Sequence, residues 1–123
     1  MSLSSLQQEF NECQMVLLAF AAMKGYGLTH GDGYRDPRVH GEFGVKKGYG
    51  SAWSCHKRRL AKDYNLFIDM DDDGIKDYIT DSKHPAYEEL GRFWKSLHPL
   101  ARWGGDFNGG DANHFSFEYQ GNM

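Results

Sequence analysis

At 123 residues and 14.1 kDa, the chain has room for one hydrophobic core and not for two, so a single domain over residues 1–123 is expected. Hydrophobic residues make up 40% and aromatic residues 15% of the sequence, which excludes wholesale disorder. A formal net charge of -3 argues against a nucleic-acid partner, and two cysteines, Cys13 and Cys55, are too few for a disulfide-stapled scaffold, so both are expected as free thiols.

Met1, Ser2 and Leu3 have the character of an expression-derived start. Ser4 and Ser5 each precede a Gln by three residues, which is capping-box spacing. Phe10, Val16, Leu17, Phe20 and Ala21 then recur near helical intervals up to a stop at Gly25, predicting a first helix that packs on a sheet. The apolar run Val16 to Met23 is too short to span a bilayer. Glu9 and Glu12 precede it where a signal peptide would carry Lys or Arg, so neither a transmembrane segment nor a signal peptide is expected.

Gly25 to Gly50 is glycine-rich and reads as a short strand over Leu28 to Arg35 followed by a long irregular excursion. Leu60 to Ile68 alternates as a strand, and Asp77 to Thr80 forms a second run able to pair with it around Asp73-Gly74. Pro85, then Tyr87, Leu90, Phe93, Trp94 and Leu97, predict a second helix ending before Pro99. Trp103-Gly104-Gly105 breaks the chain, and Asn113 to Tyr119 alternates as a closing strand. The order α, β, loop, ββ, α, β predicts an α+β domain with a small antiparallel β-sheet and helices packed on one side.

Two short segments carry metal chemistry. His56 and Asp63 lie seven residues apart, the first in the loop and the second in the predicted strand, and Asp111 precedes His114 by three residues at the mouth of the last strand. Two imidazoles and a carboxylate make a three-ligand zinc set that leaves a coordination position open, and a further carboxylate beside it can move protons. In a chain with six His and 17 acidic residues, pairs of this kind also arise by chance.

The order Ser54-x-His56, Ala61-x-Asp63, Trp103-Gly104-Gly105-Asp106-Phe107 and Asp111-x-x-His114-Phe115 resembles the zinc peptidase family of D-alanyl-D-alanine carboxypeptidases, dipeptidases and phage L-alanyl-D-glutamate endopeptidases. The likeness runs from about Tyr34 to residue 123 and is nearest to the small phage-type endolysin members. It implies the fold shared by hedgehog domains and DD-peptidases, one zinc ion on His56, Asp63 and His114, and Asp111 as general base and acid. Many relatives have Glu at the Asp111 position. Gly33-Tyr34-Arg35 is similar to the segment whose Arg holds the substrate or its developing oxyanion, with Tyr34 and Ser54 as further substrate contacts. The implied activity is hydrolysis of peptidoglycan stem peptides, foremost at the L-alanyl-D-glutamate bond. A D-alanyl-D-alanine carboxypeptidase or dipeptidase, and a non-catalytic metal-binding module that recognises the wall, are the alternatives. A monomer is expected, held in the bacterial or host cytoplasm until released to the wall.

Cys55 adjoins a ligand but is expected to point away from it, and His30, His84 and His98 read as surface or structural residues, with His40 a candidate for lining the site. Asp69, Asp71, Asp73 and Gly74 imitate the start of a calcium loop, but Thr80 stands where a bidentate Glu is wanted, so a solvated acidic hairpin is the main reading and weak calcium binding the lesser one. Lys46, Lys47, Lys57, Arg58 and Arg59, with Arg35 and Arg38, gather positive charge that is expected to attract a carboxylate-bearing stem peptide.

Overall fold

The structure is a computed structural model that describes residues 2–36, 38, 41–46 and 52–123. Helix α1 (Leu3–Met23) starts one turn earlier than the serine pair suggests. Its cap is Ser2, whose hydroxyl accepts the Ser5 N–H. Leu6, Phe10, Leu17 and Ala21 form its buried face. Helix α2 (Pro85–Leu97) has Pro85 in its first turn and ends before Pro99 as its pattern requires; the His84 ring caps it by accepting the Ala86 N–H.

Among the described residues five strands form one antiparallel sheet: β1 (Gly27–His30), β2 (Ala61–Ile68), β3 (Asp77–Tyr78), β4 (Ala101–Trp103) and β5 (His114–Phe117). The order is β1-β2-β5-β4, with β3 also on β2. This is a small α+β fold, as the element order predicts. The expected β2–β3 hairpin is present, but eight residues separate the strands. Strand β4 is a correction to the sequence reading. Ala101-Arg102-Trp103 pairs with Phe117-Ser116-Phe115 immediately before the glycines that suggest only a break.

Strand β1 is shorter than predicted because the chain bulges at its end. The Gly31 N–H donates to Asp63 O at 2.8 Å and the Asp63 N–H donates to Asp32 O at 2.7 Å, so two residues oppose one. The bulge turns residues 31–36 out of the sheet.

Along β5, Phe115 and Phe117 point to one face and His114 and Ser116 to the other. Phe10 of α1 meets Trp94 and Phe117 edge-on at centroid distances of 5.5 and 5.2 Å, and Trp94 of α2 meets Phe115 at 5.9 Å. Helices α1 and α2 therefore cover the phenylalanine face, and His114 is left on the opposite one.

Candidate metal centre

Asp63 and His114 are Cα partners in the β2–β5 register. The backbone N–H and C=O of Asp63 are taken by Asp32 and Gly31 on its other side. Opposite His114 it therefore forms a non-hydrogen-bonded pair, the kind in which facing side chains stand closest. His56 arrives from outside the sheet on a 3-10 turn, Cys55–Arg58. Ser54 caps that turn by accepting the His56 N–H at 3.2 Å, and Arg59, with a left-handed φ of 56°, closes it.

Three donor atoms converge. His56 Nε2 lies 3.3 Å and His114 Nδ1 3.4 Å from the same oxygen, Asp63 Oδ1. The other nitrogen of each ring is committed to a main-chain oxygen: His56 Nδ1 is 2.7 Å from Gly33 O and His114 Nε2 is 2.9 Å from Met123 O. A carbonyl or carboxylate oxygen only accepts, so those nitrogens carry the protons, and in the neutral imidazoles the lone pairs of His56 Nε2 and His114 Nδ1 face Asp63. His56 Nε2 and Asp63 Oδ1 are buried without a hydrogen-bond partner among the described residues. Donor atoms gathered in this way are satisfied by a cation between them, either a metal ion or a proton on one of the imidazoles. The separations also fit, since atoms ~2.0–2.1 Å from a tetrahedrally held ion stand ~3.3–3.4 Å apart. His56, Asp63 and His114 thus form a largely buried group that can hold a metal ion. Burial pushes the Asp63 carboxyl up, but its contacts with His114 and His56 overrule that and hold it well below the usual carboxylate range.

Asp111 stands beside this group and outside it. Its Oδ2 is 3.9 Å from His114 Nδ1, and its side chain is 55% exposed. Partial burial pushes its carboxyl up, the Asp63 charge adds to the rise, and His114, His56 and Arg35 oppose it. Its backbone is tied down by Asp111 N–H to Gly104 O at 2.8 Å and His114 N–H to Asp111 O at 3.0 Å. Gly104 has to be glycine here, because a Cβ would run into the Asp111 carbonyl and the His114 Cβ.

Arg35 donates from Nη1 to Ser54 Oγ at 2.9 Å, while its Nη2 lies 3.5 Å from Asp32. Ser54 therefore caps the His56 turn and orients Arg35 together. Both line a cavity of about 310 Å³ that also contains His56, His114, Asp111 and Phe107. A second cavity of about 520 Å³, with Ser82, Lys83 and His84 on its wall, shares Phe107 and Asp111 with the first. Asp111 sits where the two meet.

Other candidates fall elsewhere. Tyr34 is exposed, lies under the Arg59 guanidinium at 4.1 Å and lines a separate groove with Arg59 and Lys62. Asp69, Asp71 and Asp77 come together in the hairpin, with Asp77 in place of Asp73, whose carboxylate accepts the Ile75 N–H. Asp69 accepts the Asp73 and Gly74 N–H groups, so the loop's own amides satisfy it. Lys57 does not belong to a solvated cationic face: only 3% exposed, it donates from Nζ to the carbonyls of Val45, Glu42 and Ala52 at 2.6, 3.3 and 3.3 Å. Arg58 lies over Phe43, and Arg38 pairs with Asp36. His40 and Lys47 lie outside the described residues.

Both cysteines are free, and Cys55 points its Sγ at Asn122 O, 3.3 Å away. His84 caps α2, and His98 stacks on Phe117 at 4.2 Å, so both are structural. The residues missed from sequence are Trp53, Phe107, Asn122 and Met123, all on the wall of the metal cavity. Phe107 had a signal in the motif that contains it; the carbonyls of Gly33 and Met123 had none, because backbone atoms leave no trace in residue type. Among the described residues, no helix is long and apolar enough to cross a membrane. No family model matches the chain, and no curated protein matches it.

Proposed function

We propose that the protein is a zinc-dependent peptidase acting on peptidoglycan stem peptides, with His56, Asp63 and His114 as ligands. The observation that carries this reading is the convergence of His56 Nε2, His114 Nδ1 and Asp63 Oδ1, with their outer nitrogens locked on carbonyls and one further carboxylate left over. Zinc, when bound, supplies a Lewis acid that polarises a carbonyl and lowers the pKa of water.

The remaining chemistry belongs to the chain. Asp111, with its carboxyl pushed up, accepts a proton from the attacking water and returns it to the leaving amine. Arg35, oriented by Ser54, offers positive charge to the developing oxyanion. Gly33 and Met123 hold the two imidazoles in the tautomers that expose the inner nitrogens.

Cavities on both sides of Asp111 give room for chain on either side of the broken bond, which supports cleavage within a peptide, as at L-alanyl-D-glutamate, over removal of a terminal D-alanine. A metal-binding recognition module would have no use for Asp111. Muropeptide digestion followed by mass spectrometry, with and without chelator, tests the proposal: stems cut only in the absence of chelator support it, and stems left intact at saturating zinc overturn it.

A further inference from the structure

The segment Tyr119–Met123 touches both imidazole ligands' surroundings. The Tyr119 N–H donates to Asn122 O at 2.7 Å and the Asn122 N–H donates back to Tyr119 O at 2.9 Å. Between them Gln120 and Gly121 are both left-handed, with φ of 51° and 79°, as in a type I′ turn. From this turn Met123 O accepts the Nε2–H of His114 at 2.9 Å, and Asn122 O accepts the Sγ–H of Cys55, the residue before His56, at 3.3 Å.

We propose that the 119–123 turn is a positioning element of the metal centre, a clasp that joins the β5 ligand to the 3-10 turn carrying the other histidine. The proposal rests on the metal reading of the site. His114 needs a fixed tautomer, because only with its proton on Nε2 does Nδ1 face Asp63 with a free lone pair. Among the described residues the Met123 main-chain oxygen is the hydrogen-bond partner that sets it. Gly33 does the same for His56 from the other side of the site, so each imidazole is held by a peripheral backbone segment rather than by an acidic side chain. Coupling of this kind is reciprocal: a turn that favours metal binding is itself favoured by the metal.

Two substitutions loosen the turn without touching a ligand. A Cβ at Gly121 meets nothing within 4 Å, so Gly121→Val perturbs only a left-handed backbone that β-branched residues resist. Asn122→Pro removes the N–H given to Tyr119. Zinc affinity, read by competition with a chromophoric chelator, should fall ~10–100-fold in both, the usual cost of losing a partner behind a ligand. The visible bands of the cobalt-loaded protein should shift with it, which a merely structural loss would not produce. In the wild type, adding zinc should slow hydrogen exchange at the Tyr119 and Asn122 amides. Variants that bind zinc as tightly as the wild type, or amides indifferent to zinc, overturn the clasp alone. A wild type that takes up no zinc overturns the metal reading and the clasp with it.

Discussion

Asp63 and His114 face one another across the β2–β5 ladder in the position where opposed side chains come closest. Two of the three proposed ligands are therefore placed by strand register alone, and a slip of one residue would turn either of them to the phenylalanine face. His56 is brought to them by a turn that Ser54 caps. Roles can be separated on this arrangement.

His114→Ala removes a ligand, so zinc binding and turnover should disappear together. Asp111→Ala should keep zinc affinity near that of the wild type while turnover falls ~10²–10⁴-fold, the range for loss of a general acid–base group. Zinc titration alongside peptide hydrolysis reads both. Equal loss of zinc in the two variants would make Asp111 a ligand and leave the proton carrier unassigned.

Gly104→Ala puts a methyl group into the Asp111 carbonyl and the His114 Cβ. Overpacking of this kind costs ~1–3 kcal/mol, so a lower unfolding temperature is expected, together with weaker zinc binding because His114 is pushed. Gly109→Ala is the control, since a Cβ there meets nothing within 4 Å. Matching thermal melts for the two variants would refute the steric account.

Burial pushes the Cys55 thiol up to about 12 from the ordinary thiol value of 9.0, with Glu118 adding to the rise and a backbone contact at Tyr119 opposing it. The folded state thus resists ionisation that the unfolded chain undergoes freely. This contribution to stability is whole below pH 9 and is lost as pH rises from there toward 12. Cys55→Ala should flatten the alkaline fall in unfolding free energy, as measured by urea melts across that window. At neutral pH a thiol reagent should label Cys13 in the native protein and reach Cys55 only on unfolding; prompt labelling of both would contradict the packing.

Lys57→Met removes a buried ammonium from the carbonyls of Glu42, Val45 and Ala52. Glu42 O and Ala52 O still accept the Val45 and Gly44 N–H groups, so the loss falls on Val45 O, the shortest of the three contacts, and a drop in stability on the order of one hydrogen bond, about 1 kcal/mol, is expected. The Ala52 carbonyl precedes Trp53 and Ser54, so substrate affinity should weaken more than zinc affinity does. Calorimetry and peptide KM check the two halves; a variant as stable as the wild type would rule out the clamp.

Much of this was legible in the sequence. Helical spacing points to α1 and α2 and alternation to β2 and β5, while His56, Asp63 and His114, which come together as a possible metal group, stand out by residue type only once the resemblance orders them. Strand β4 was hidden because three residues are too few to show a period and the glycines after Trp103 dominate the local signal. Ser2 is hidden as the cap because Ser4 and Ser5 have a Gln three residues on and Ser2 has none. Lys57 looked solvated, since nothing in its neighbours announces the three carbonyls gathered around it. Bulge geometry at Gly31 and Asp32, which swings Gly33 O toward His56, is likewise a property of pairing rather than of composition.

Trp103 has one more consequence. Its ring is held in a slot where neither Gly91 of α2 nor Gly105 has room for a Cβ, and its Nε1–H is fastened to Ala112 O at 2.7 Å, next to Asp111. The indole works as a pin through helix, strand end and loop. The helical layer and the loop that carries Asp111 are thereby packed on one indole, so a substitution that shifts α2 at Gly91 reaches the backbone beside that carboxylate.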